Sequence, residues 1–188
     1  MPGDVTILLN RYNNGEAAAL DELAVLLYPE LKAMARRRVS GNVADKGGFG
    51  ATVLVNETFI KLLSDGQLDP QDRQQFFRLA ATVMRQVVID EVRYVTAQKR
   101  SAEEVTFADA EVADDTLEKA EFVLQVNEIL ERLDHQDERL AHVFECRYFA
   151  GYSTAETAEV LDLSERTVER LWSSARERIA ALTGASNR

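Results

Sequence analysis

The chain has 188 residues, enough for one medium-sized domain or two small ones, and its 32 acidic and 22 basic side chains give a net charge of -10. Hydrophobic residues make up 46% of the chain and charged residues 29%, a composition that excludes intrinsic disorder. The single cysteine, Cys146, excludes an internal disulfide framework and a zinc site built from several cysteines.

The first hundred residues predict four helices, because apolar residues recur at helical spacing between glycine-rich or polar breaks. These helices cover residues 5–12, 17–39, 51–63 and 73–99, the last being one long helix or two abutting ones. Residues 40–50 and 64–73 are predicted to be a loop and a turn. The predicted inner faces comprise Leu20, Leu23, Leu27, Leu31 and Met34 in the second helix and Phe76, Ala80, Val83, Val87 and Val88 in the fourth.

The acidity is concentrated in the middle of the chain. Residues 101–137 hold 12 acidic and 2 basic side chains, a net charge of -10, so the flanking parts are close to neutral. We interpret residues 101–121 as an acidic linker that becomes helical near Asp115. Each near-neutral flank remains able to present a basic face to a nucleic acid.

The last part predicts helices over 122–133 and 141–149, followed by YSTAETAEVLDLSERTVERLW (152–172), which has the pattern of a helix-turn-helix. Ser153 and Glu156 form a predicted capping box. Asp162 stands where the turn needs a left-handed backbone, which Asp tolerates. Ser164 is predicted to cap the second helix. Leu161, Val168 and Leu171 are predicted to form a small shared core next to Ala158.

The exposed side of the second helix offers a mixed polar set to base edges and phosphates, while the alternative is an ordinary helix pair with solvated charges. The set consists of Glu165, Arg166, Thr167, Glu169, Arg170 and Arg176. Its small net charge predicts weak DNA binding by this segment alone. The fold class predicted is all-α, with two small helical domains joined by the acidic linker and a C-terminal helix-turn-helix.

Three stretches, LVNETFIKLL (54–63), FFRLAATVMRQVVIDEVR (76–93) and SERTVERLWSSARERI (164–179), carry a resemblance that covers nearly the whole chain. The chain resembles bacterial RNA polymerase sigma factors of the extracytoplasmic-function (ECF) type. ATVLVNE with MRQVVIDEVR is most similar to the subgroup whose members often accompany Ser/Thr kinases. The resemblance implies an alternative sigma factor and not an enzyme, with no metal or cofactor, and with core RNA polymerase and promoter DNA as partners.

The resemblance implies a domain over 1–100 that binds core polymerase and melts the -10 element, the linker over 101–121, and a -35-reading domain over 122–184. The -35 candidates are Ser164, Glu165, Arg166, Thr167, Glu169, Arg170 and Arg176. The -10 candidates, after the turn 64–73, are Phe76, Phe77, Arg78, Arg85, Gln86, Arg93, Lys99 and Arg100. At least one of the two phenylalanines is expected in the core, because adjacent helical residues point about 100° apart. Glu169 and Leu171 stand where the family usually has Lys or Arg.

The candidates for contact with the clamp coiled coil of core polymerase are Ala51, Thr52, Leu54, Val55, Asn56 and Glu57. Acidic residues usual at the start of this helix are missing, since Gly50, Ala51, Thr52 and Val53 occupy those positions. We hypothesise that a Ser/Thr protein kinase phosphorylates Thr52 and so supplies the missing charge near the helix N-terminus. The alternative is that Thr52 is an N-cap and that apolar contacts suffice.

The alternative function is a stand-alone helix-turn-helix regulator with a helical sensor domain, which would bind a palindrome by itself as a dimer. Cys146 is expected to be a buried thiol, and His135 and His142 to be surface or packing residues. No signal peptide and no apolar run of 18 residues is present, so we expect a cytoplasmic protein with no membrane contact. We expect the two domains to pack together and cover DNA-binding surfaces. The sequence does not decide whether an anti-sigma factor binds.

Overall fold

A computed structural model describes residues 2–39, 50–64, 70–103 and 110–184, and this part of the chain is entirely helical apart from its connections, as predicted. The predicted loop over 40–50, apart from Gly50, and residues 65–69 of the predicted turn over 64–73 lie outside the described residues. The α-helices are α1 (Pro2–Asn13), α2 (Ala18–Val39), α3 (Ala51–Ser64), α4 (Arg73–Glu103), α5 (Ala110–Asp134), α6 (Glu138–Phe144), α7 (Thr154–Leu161) and α8 (Glu165–Thr183).

The N-terminal half, α1 to α4, packs its helices through the predicted apolar faces. Four of the five predicted positions of α2 and all five of α4 are buried, whereas Leu20 is only half-buried. α4 is one continuous helix, since neither glycine nor proline interrupts it. This helix therefore spans the N-terminal half without a break, and its inner face packs in the core.

The acidic middle segment is more helical than the sequence pattern predicts. α4 continues to Glu103 and α5 already begins at Ala110, whereas the start of helix was expected near Asp115. Alanine and glutamate are both good helix formers, and they extend the two helices into the predicted linker. Residues 104–109 lie outside the described part.

The C-terminal half, α5 to α8, contains one departure from the predicted helices. α6 begins at Glu138, where the Asp137 side chain caps it by accepting a hydrogen bond from the Leu140 N–H at 3.2 Å. Residues 145–149, predicted as the end of that helix, form a π-helical segment instead. The π geometry is visible in the Ala150 N–H, which donates to the Glu145 carbonyl five residues back at 3.2 Å.

The two halves pack against each other, with α4 in contact with α5, the π-segment and α7. The predicted helix over 122–133 has apolar residues at helical spacing, and all of them are buried in α5: Val123, Val126, Ile129, Leu130 and Leu133. One hydrophobic cluster contains residues of both halves. Cys146 is buried in this region as expected, and burial raises the pKa of its thiol. The expected compact packing is therefore observed.

Candidate nucleic-acid interface

The turn between α7 and α8 has the predicted local geometry. Ser153 Oγ accepts a hydrogen bond from the Glu156 N–H at 3.2 Å, and the Glu156 carboxylate accepts one from the Ser153 N–H at 2.6 Å. Asp162 has φ 52° and ψ 50°, a left-handed backbone that ends α7. Ser164 Oγ accepts from the Thr167 N–H at 3.2 Å and starts α8. These bonds fix where α8 begins.

The small core under this turn holds α8 against α7. Val168 and Leu171 are buried on the inner side of α8, and Ala158 is buried on α7. Leu161 is half-buried. The small Ala158 side chain lets α8 cross α7 closely, so the opposite side of α8 is turned outward as a single face.

That outward side of α8 carries the predicted -35 candidates. Thr167 is half-buried, and its hydroxyl lies 2.8 Å from that of Ser164. The Arg176 guanidinium lies 5.8 Å from the Trp172 ring centroid, a cation–π distance. The exposed members are Ser164, Glu165, Arg166, Glu169, Arg170 and Arg176. The face thus offers donors and acceptors suited to base edges, with an arginine further along for phosphate.

Arg147 was not predicted but belongs to the same surface. Its guanidinium donates to Thr154 Oγ1 at 2.9 Å, and it lies 5.5 Å from the Trp172 ring centroid. The charge is therefore held beside the first turn of α7, where backbone N–H groups already favour an anion. The sequence gives no signal for this position, because Arg147 and Trp172 lie in different helices.

The two phenylalanines predicted at the -10 site are not on the surface. Phe76 is 3% exposed and Phe77 is 2% exposed, and their rings meet edge to face at 5.5 Å. The Arg73 guanidinium lies 4.6 Å from the Phe77 ring centroid. Both phenylalanines therefore belong to the core, where at least one was expected, and neither presents a surface to DNA in this arrangement.

Arg78 and Arg85 are occupied by the C-terminal half. Arg78 Nη2 donates to a Glu138 carboxylate oxygen at 3.2 Å and lies 3.2 Å from His142 Nδ1. Arg85 Nε donates to Asn127 Oδ1 at 2.8 Å, and only 18% of its side chain is exposed. The C-terminal half therefore pairs with both arginines, and it covers Arg85, whereas half of the Arg78 side chain remains exposed.

Gln86 and Arg93 are exposed and line a cleft of about 360 Å³ between α3, α4 and α5. Lys61 and Arg85 line the same cleft, which gives it three cationic side chains, balanced in part by the carboxylates of Asp90 and Glu131. Lys99 and Arg100 lie within α4, but their side chains are outside the described part. Of the predicted -10 residues whose side chains the structure describes, Arg78, Gln86 and Arg93 are exposed to solvent.

The candidates for polymerase contact on α3 separate into two groups. Thr52, Asn56 and Glu57 are exposed and Ala51 is half-buried, whereas Leu54 is 1% exposed and Val55 is 0% exposed. Leu54 and Val55 anchor α3 in the core and offer no surface to a partner. Their predicted contact with polymerase stays a prediction, and the exposed side chains of α3 are better placed for it.

The exposed side of α3 also carries two apolar residues that were not predicted as contacts. Val53 is 41% exposed and Ile60 is 55% exposed, and the helix has no acidic residue in its first turn. The Gly50 carbonyl accepts from the Leu54 N–H at 3.1 Å, so Gly50 occupies the cap position. Thr52 is therefore an exposed residue of the first turn and not the N-cap.

The described residues hold neither a membrane-spanning helix nor a metal-binding cluster. Among the described residues, no helix combines the length and apolar character that a membrane span requires. Within the same part of the chain, no group of three or more His, Cys, Asp or Glu side chains is placed to hold a metal ion. His135 is exposed and His142 is half-buried beside Arg78.

Comparison with known proteins gives one family. A family model described as "ECF sigma factor" matches residues 2–183. No curated protein matches the chain. The chain is also similar to a solved structure, "Structure of CnrH in complex with the cytosolic domain of CnrY", with 20% identity over 98% of this chain and 99% of that chain and a TM-score of 0.37.

Proposed function

This chain belongs to the ECF sigma factor family, and we propose that its two halves divide promoter recognition between them. Membership makes it an alternative sigma factor that directs transcription initiation by RNA polymerase. In the proposed division, residues 1–100 bind core polymerase and open the -10 element, and residues 122–184 read the -35 element. Residues 101–121 form the linker between these two domains.

The proposal for the -35 element rests on the outward face of α8. Its start is fixed by the left-handed Asp162 and the Ser164 cap, and its exposed side chains include Arg166 and Arg170. Recognition helices place residues of their first turns against base edges in the major groove. Glu169 would accept a hydrogen bond from cytosine N4, and Thr167 would add a hydroxyl. Ser164, Arg176 and Arg147 would contact phosphates.

The proposal for the -10 element rests on the exposed polar side of α4. Gln86 and Arg93 flank a cleft into which an unstacked base or a phosphate would fit, and Arg78 and Arg85 lie on the same helix. Lys99 and Arg100 extend the cationic series along α4. Unpaired bases are held by edge hydrogen bonds and stacking, while arginines hold the backbone.

The proposal for polymerase binding rests on the exposed side of α3. Thr52, Asn56 and Glu57 would face the basic clamp coiled coil, with Val53 and Ile60 as apolar contacts. The first turn of this helix carries no carboxylate of its own. A phosphate on Thr52 would add nearly two negative charges at a favourable helix end. We therefore propose that a Ser/Thr kinase switches on polymerase binding, as the resemblance to the kinase-associated subgroup suggests.

The last part of the proposed function concerns the acidic segment in the middle of the chain and its fit to the polymerase. Residues 101–137 carry a net charge of -10, and a segment of that charge is suited to the basic nucleic-acid channels of the polymerase. The polymerase would then contribute most of the positively charged side chains that bind the DNA phosphates. This accounts for a DNA-binding chain whose own net charge is negative.

The experiment that tests the proposal is affinity for purified core RNA polymerase. Four samples are compared: the unaltered chain, kinase-treated chain, Thr52→Glu, and kinase-treated Thr52→Ala as the matched control. We expect tight binding after phosphorylation and weak binding by the control. Equally tight binding by all four would support the sigma factor and contradict the switch.

A second arm addresses the alternative regulator. A sigma factor has almost no promoter affinity without core polymerase, whereas a stand-alone regulator binds a palindrome by itself as a dimer. Random duplex DNA is subjected to rounds of selection for binding to the unaltered chain, with and without core polymerase. Failure of every form to bind core, together with selection of a palindrome by the chain alone, would overturn the proposed function.

A further inference from the structure

Trp172 of α8, the single tryptophan of the chain, lies beside two arginines from different parts of the fold. The guanidinium of Arg147, in the π-segment, lies 5.5 Å from the centroid of the Trp172 ring. The guanidinium of Arg176, one turn further along α8, lies 5.8 Å from the same centroid. Both distances allow a cation–π interaction, in which the negative face of the ring attracts the cation. We call Arg147 and Arg176 the arginine pair.

The indole ring is fixed from the interior by other aromatic side chains. The centroid of the Phe144 ring lies 5.3 Å from that of Trp172, and Phe144 stacks on Tyr148 at 4.9 Å. Phe144 is buried, whereas Trp172 is half-buried. An aromatic side chain has few rotatable bonds, so a ring that packs on the core keeps one position. Trp172 is therefore a rigid support for the two cations beside it.

The arginine pair is oriented without being neutralised. In the described part of the chain, its polar and ring contacts are with the indole ring and, for Arg147, with the Thr154 hydroxyl at 2.9 Å. Arg73 and Arg85, by contrast, pair with carboxylates. A carboxylate cancels the charge of an arginine, whereas an aromatic ring leaves the charge and the N–H donors available. In a chain of net charge -10, these two cations remain free to meet an external anion.

Phosphate is the anion that suits such a pair. Two cations beside one ring repel each other, and an anion that bridges them removes this cost. The planar guanidinium matches the oxygens of a phosphate in geometry and in hydrogen-bonding capacity. Arg176 follows the exposed side of α8, and Arg147 is fixed to Thr154 in the first turn of α7. The arginine pair therefore lies at the edge of the face that the proposed function assigns to the -35 element.

We propose that Trp172 is a positioning residue for DNA binding, which holds Arg147 and Arg176 together as one site for the phosphates of the promoter backbone. This inference rests on the proposed function, because it requires the α8 face to bind the -35 element. Phosphate contacts fix the register of a recognition helix on the duplex without reading the bases. Trp172 itself needs no contact with DNA. Its effect on affinity passes through the two arginines, so it disappears when they are removed.

A double-mutant cycle tests that dependence. Trp172→Leu keeps an apolar side chain and removes the aromatic face, whereas Trp172→Phe keeps an aromatic face. Each is made in the unaltered chain and in a chain that carries both Arg147→Gln and Arg176→Gln. Arg178→Gln, at an exposed position two residues further along α8, is the control for charge. Affinity is measured with core polymerase, over a series of salt concentrations, on the duplex that the chain and core select from random DNA.

We expect Trp172→Leu to weaken DNA binding about fivefold and Trp172→Phe about twofold, because the benzene ring attracts a cation less strongly than indole does. The slope of log affinity against log salt falls by about 0.9 for each phosphate contact that is lost. Trp172→Leu should therefore lower the slope towards that of the chain without the arginine pair, and Arg178→Gln should not. In the chain without the pair, Trp172→Leu should have no further effect.

A tryptophan with only a structural role would give another result. It would lower affinity by the same factor in both backgrounds and leave the salt slope unchanged, and that outcome would overturn the proposal. Circular dichroism checks the fold of each variant. If Trp172→Leu unfolds, Trp172→Phe completes the cycle with the same two readouts.

The geometry is tested in the free chain by NMR of the arginine side chains. The ring current of an indole displaces the signals of nearby nuclei, so the Nε–H signals of Arg147 and Arg176 should move in Trp172→Phe and Trp172→Leu. The Nε–H signal of Arg178 should stay in place. Unchanged signals for the arginine pair in folded variants would contradict its contact with the ring.

Failure of the proposed function gives a different pattern. If the chain binds no core polymerase but selects a duplex by itself, the cycle is measured on that duplex. Coupling there would leave the arginine pair standing while the sigma-factor assignment fails. If the chain binds core and its selected duplex, but the effects of Trp172 and the arginines simply add, the inference fails and the function stands. A chain that selects no duplex with or without core overturns both.

Discussion

The outward face of α8 and the face of α4 that packs against the C-terminal half, here called the covered face, are both rich in arginine. The arginines of the two faces differ in their surroundings. Arg166 and Arg170 on α8 are exposed to solvent, whereas Arg78 and Arg85 on α4 are paired with carboxylates of the C-terminal half. The type of side chain is the same in both places. The difference lies in what the rest of the chain places opposite them.

This contrast shows how an acidic chain can contain a DNA-binding surface whose cations are paired with its own carboxylates. The acidic residues opposite α4 cancel its cations, while the α8 face has none of that cover. The free chain would then offer one half of a promoter-binding surface and withhold the other. Promoter melting would begin only after the polymerase has taken up the chain.

The largest expected effect is a loss of stability caused by a substitution at the close contact between the two halves. Gly151→Ala would need a left-handed alanine and would press a methyl group against α2, where the Met34 carbonyl oxygen and the Arg38 N–H lie. We expect a loss of about 3 kcal/mol in the free energy of unfolding, from backbone strain and overlap together. Urea unfolding followed by the fluorescence of Trp172, the single tryptophan, measures it.

Gly184→Ala is the matched control for that substitution. Gly184 has φ +69°, but nothing lies within 4 Å of its added Cβ, so only the strain remains. We expect a loss of about 1 kcal/mol. Equal losses for the two variants would mean that the close approach of α2 does not contribute.

The second largest effect is expected on transcription, from a substitution on the outward face of α8. Arg170→Ala should lower -35-dependent transcription with core polymerase about 30-fold, equivalent to about 2 kcal/mol for a lost base contact. Stability should change by less than about 0.5 kcal/mol because Arg170 is exposed. Arg178→Ala, which removes an equal charge from a later turn of α8, is the control. A loss of similar size in the control would assign the effect to net charge.

A smaller effect is expected on α3. The chain phosphorylated at Thr52 should bind core polymerase at least about fivefold more tightly than the unmodified chain, since an added charge against an exposed basic surface contributes about 1 kcal/mol to binding. Titration calorimetry with purified core measures the difference. A Thr52→Ala chain that transcribes as well as the unaltered one in kinase-bearing cells would refute the switch.

The smallest effect concerns the ion pair between Arg37 of α2 and Glu156 of α7. Partial burial tends to raise the pKa of Glu156, but hydrogen bonds from Ser153 and the Arg37 charge outweigh it and lower the pKa below its ordinary 4.5. A lowered folded-state pKa contributes stability above pH 4.5, and this stability is lost as the pH falls through the folded value. Solvent limits the contribution to less than about 1 kcal/mol.

Glu156→Gln isolates that contribution, because glutamine preserves the capping box and removes only the charge. We expect the variant to be less stable than the unaltered chain at pH 7, with a difference that shrinks as the pH is lowered from 4.5 towards 3, measured by urea unfolding. A difference that stays constant across this range would show that the charge of Glu156 does not stabilise the packing of the two halves.

The sequence predicted the local structure well, since local rules determine it. The capping box at Ser153, the left-handed Asp162 and the Ser164 cap each depend on residues within one turn of the chain. The inner faces of α4 and α5 also follow from helical spacing. Such features need no knowledge of the tertiary arrangement.

The covered face could not be predicted in the same way. Arg85 and Glu145 are 60 residues apart, and no spacing rule connects them. Phe77 was assigned to DNA because it lies on the right helix, but its environment is set by Tyr152 of the other half, whose ring centroid is 6.3 Å away. The π-segment escaped prediction as well, because its geometry depends on the packing around Glu145 and Phe149.

The central claim, that core polymerase opens a closed chain by separating the two halves that pack together in the free chain, is tested most directly by a distance within the chain. Donor and acceptor dyes are placed on Val25→Cys in α2 and Glu177→Cys in α8, both exposed and outside the proposed binding faces. Cys146 can remain, because its buried thiol, with its raised pKa, reacts slowly. Kinase-treated chain is used, so that binding is not limiting.

We predict high energy transfer in the free chain and a clear fall on saturation with core polymerase. Glu145→Gln should show the lower transfer before core is added. Unchanged transfer in a chain that demonstrably binds core would contradict the account, because the polymerase would then be using the closed form.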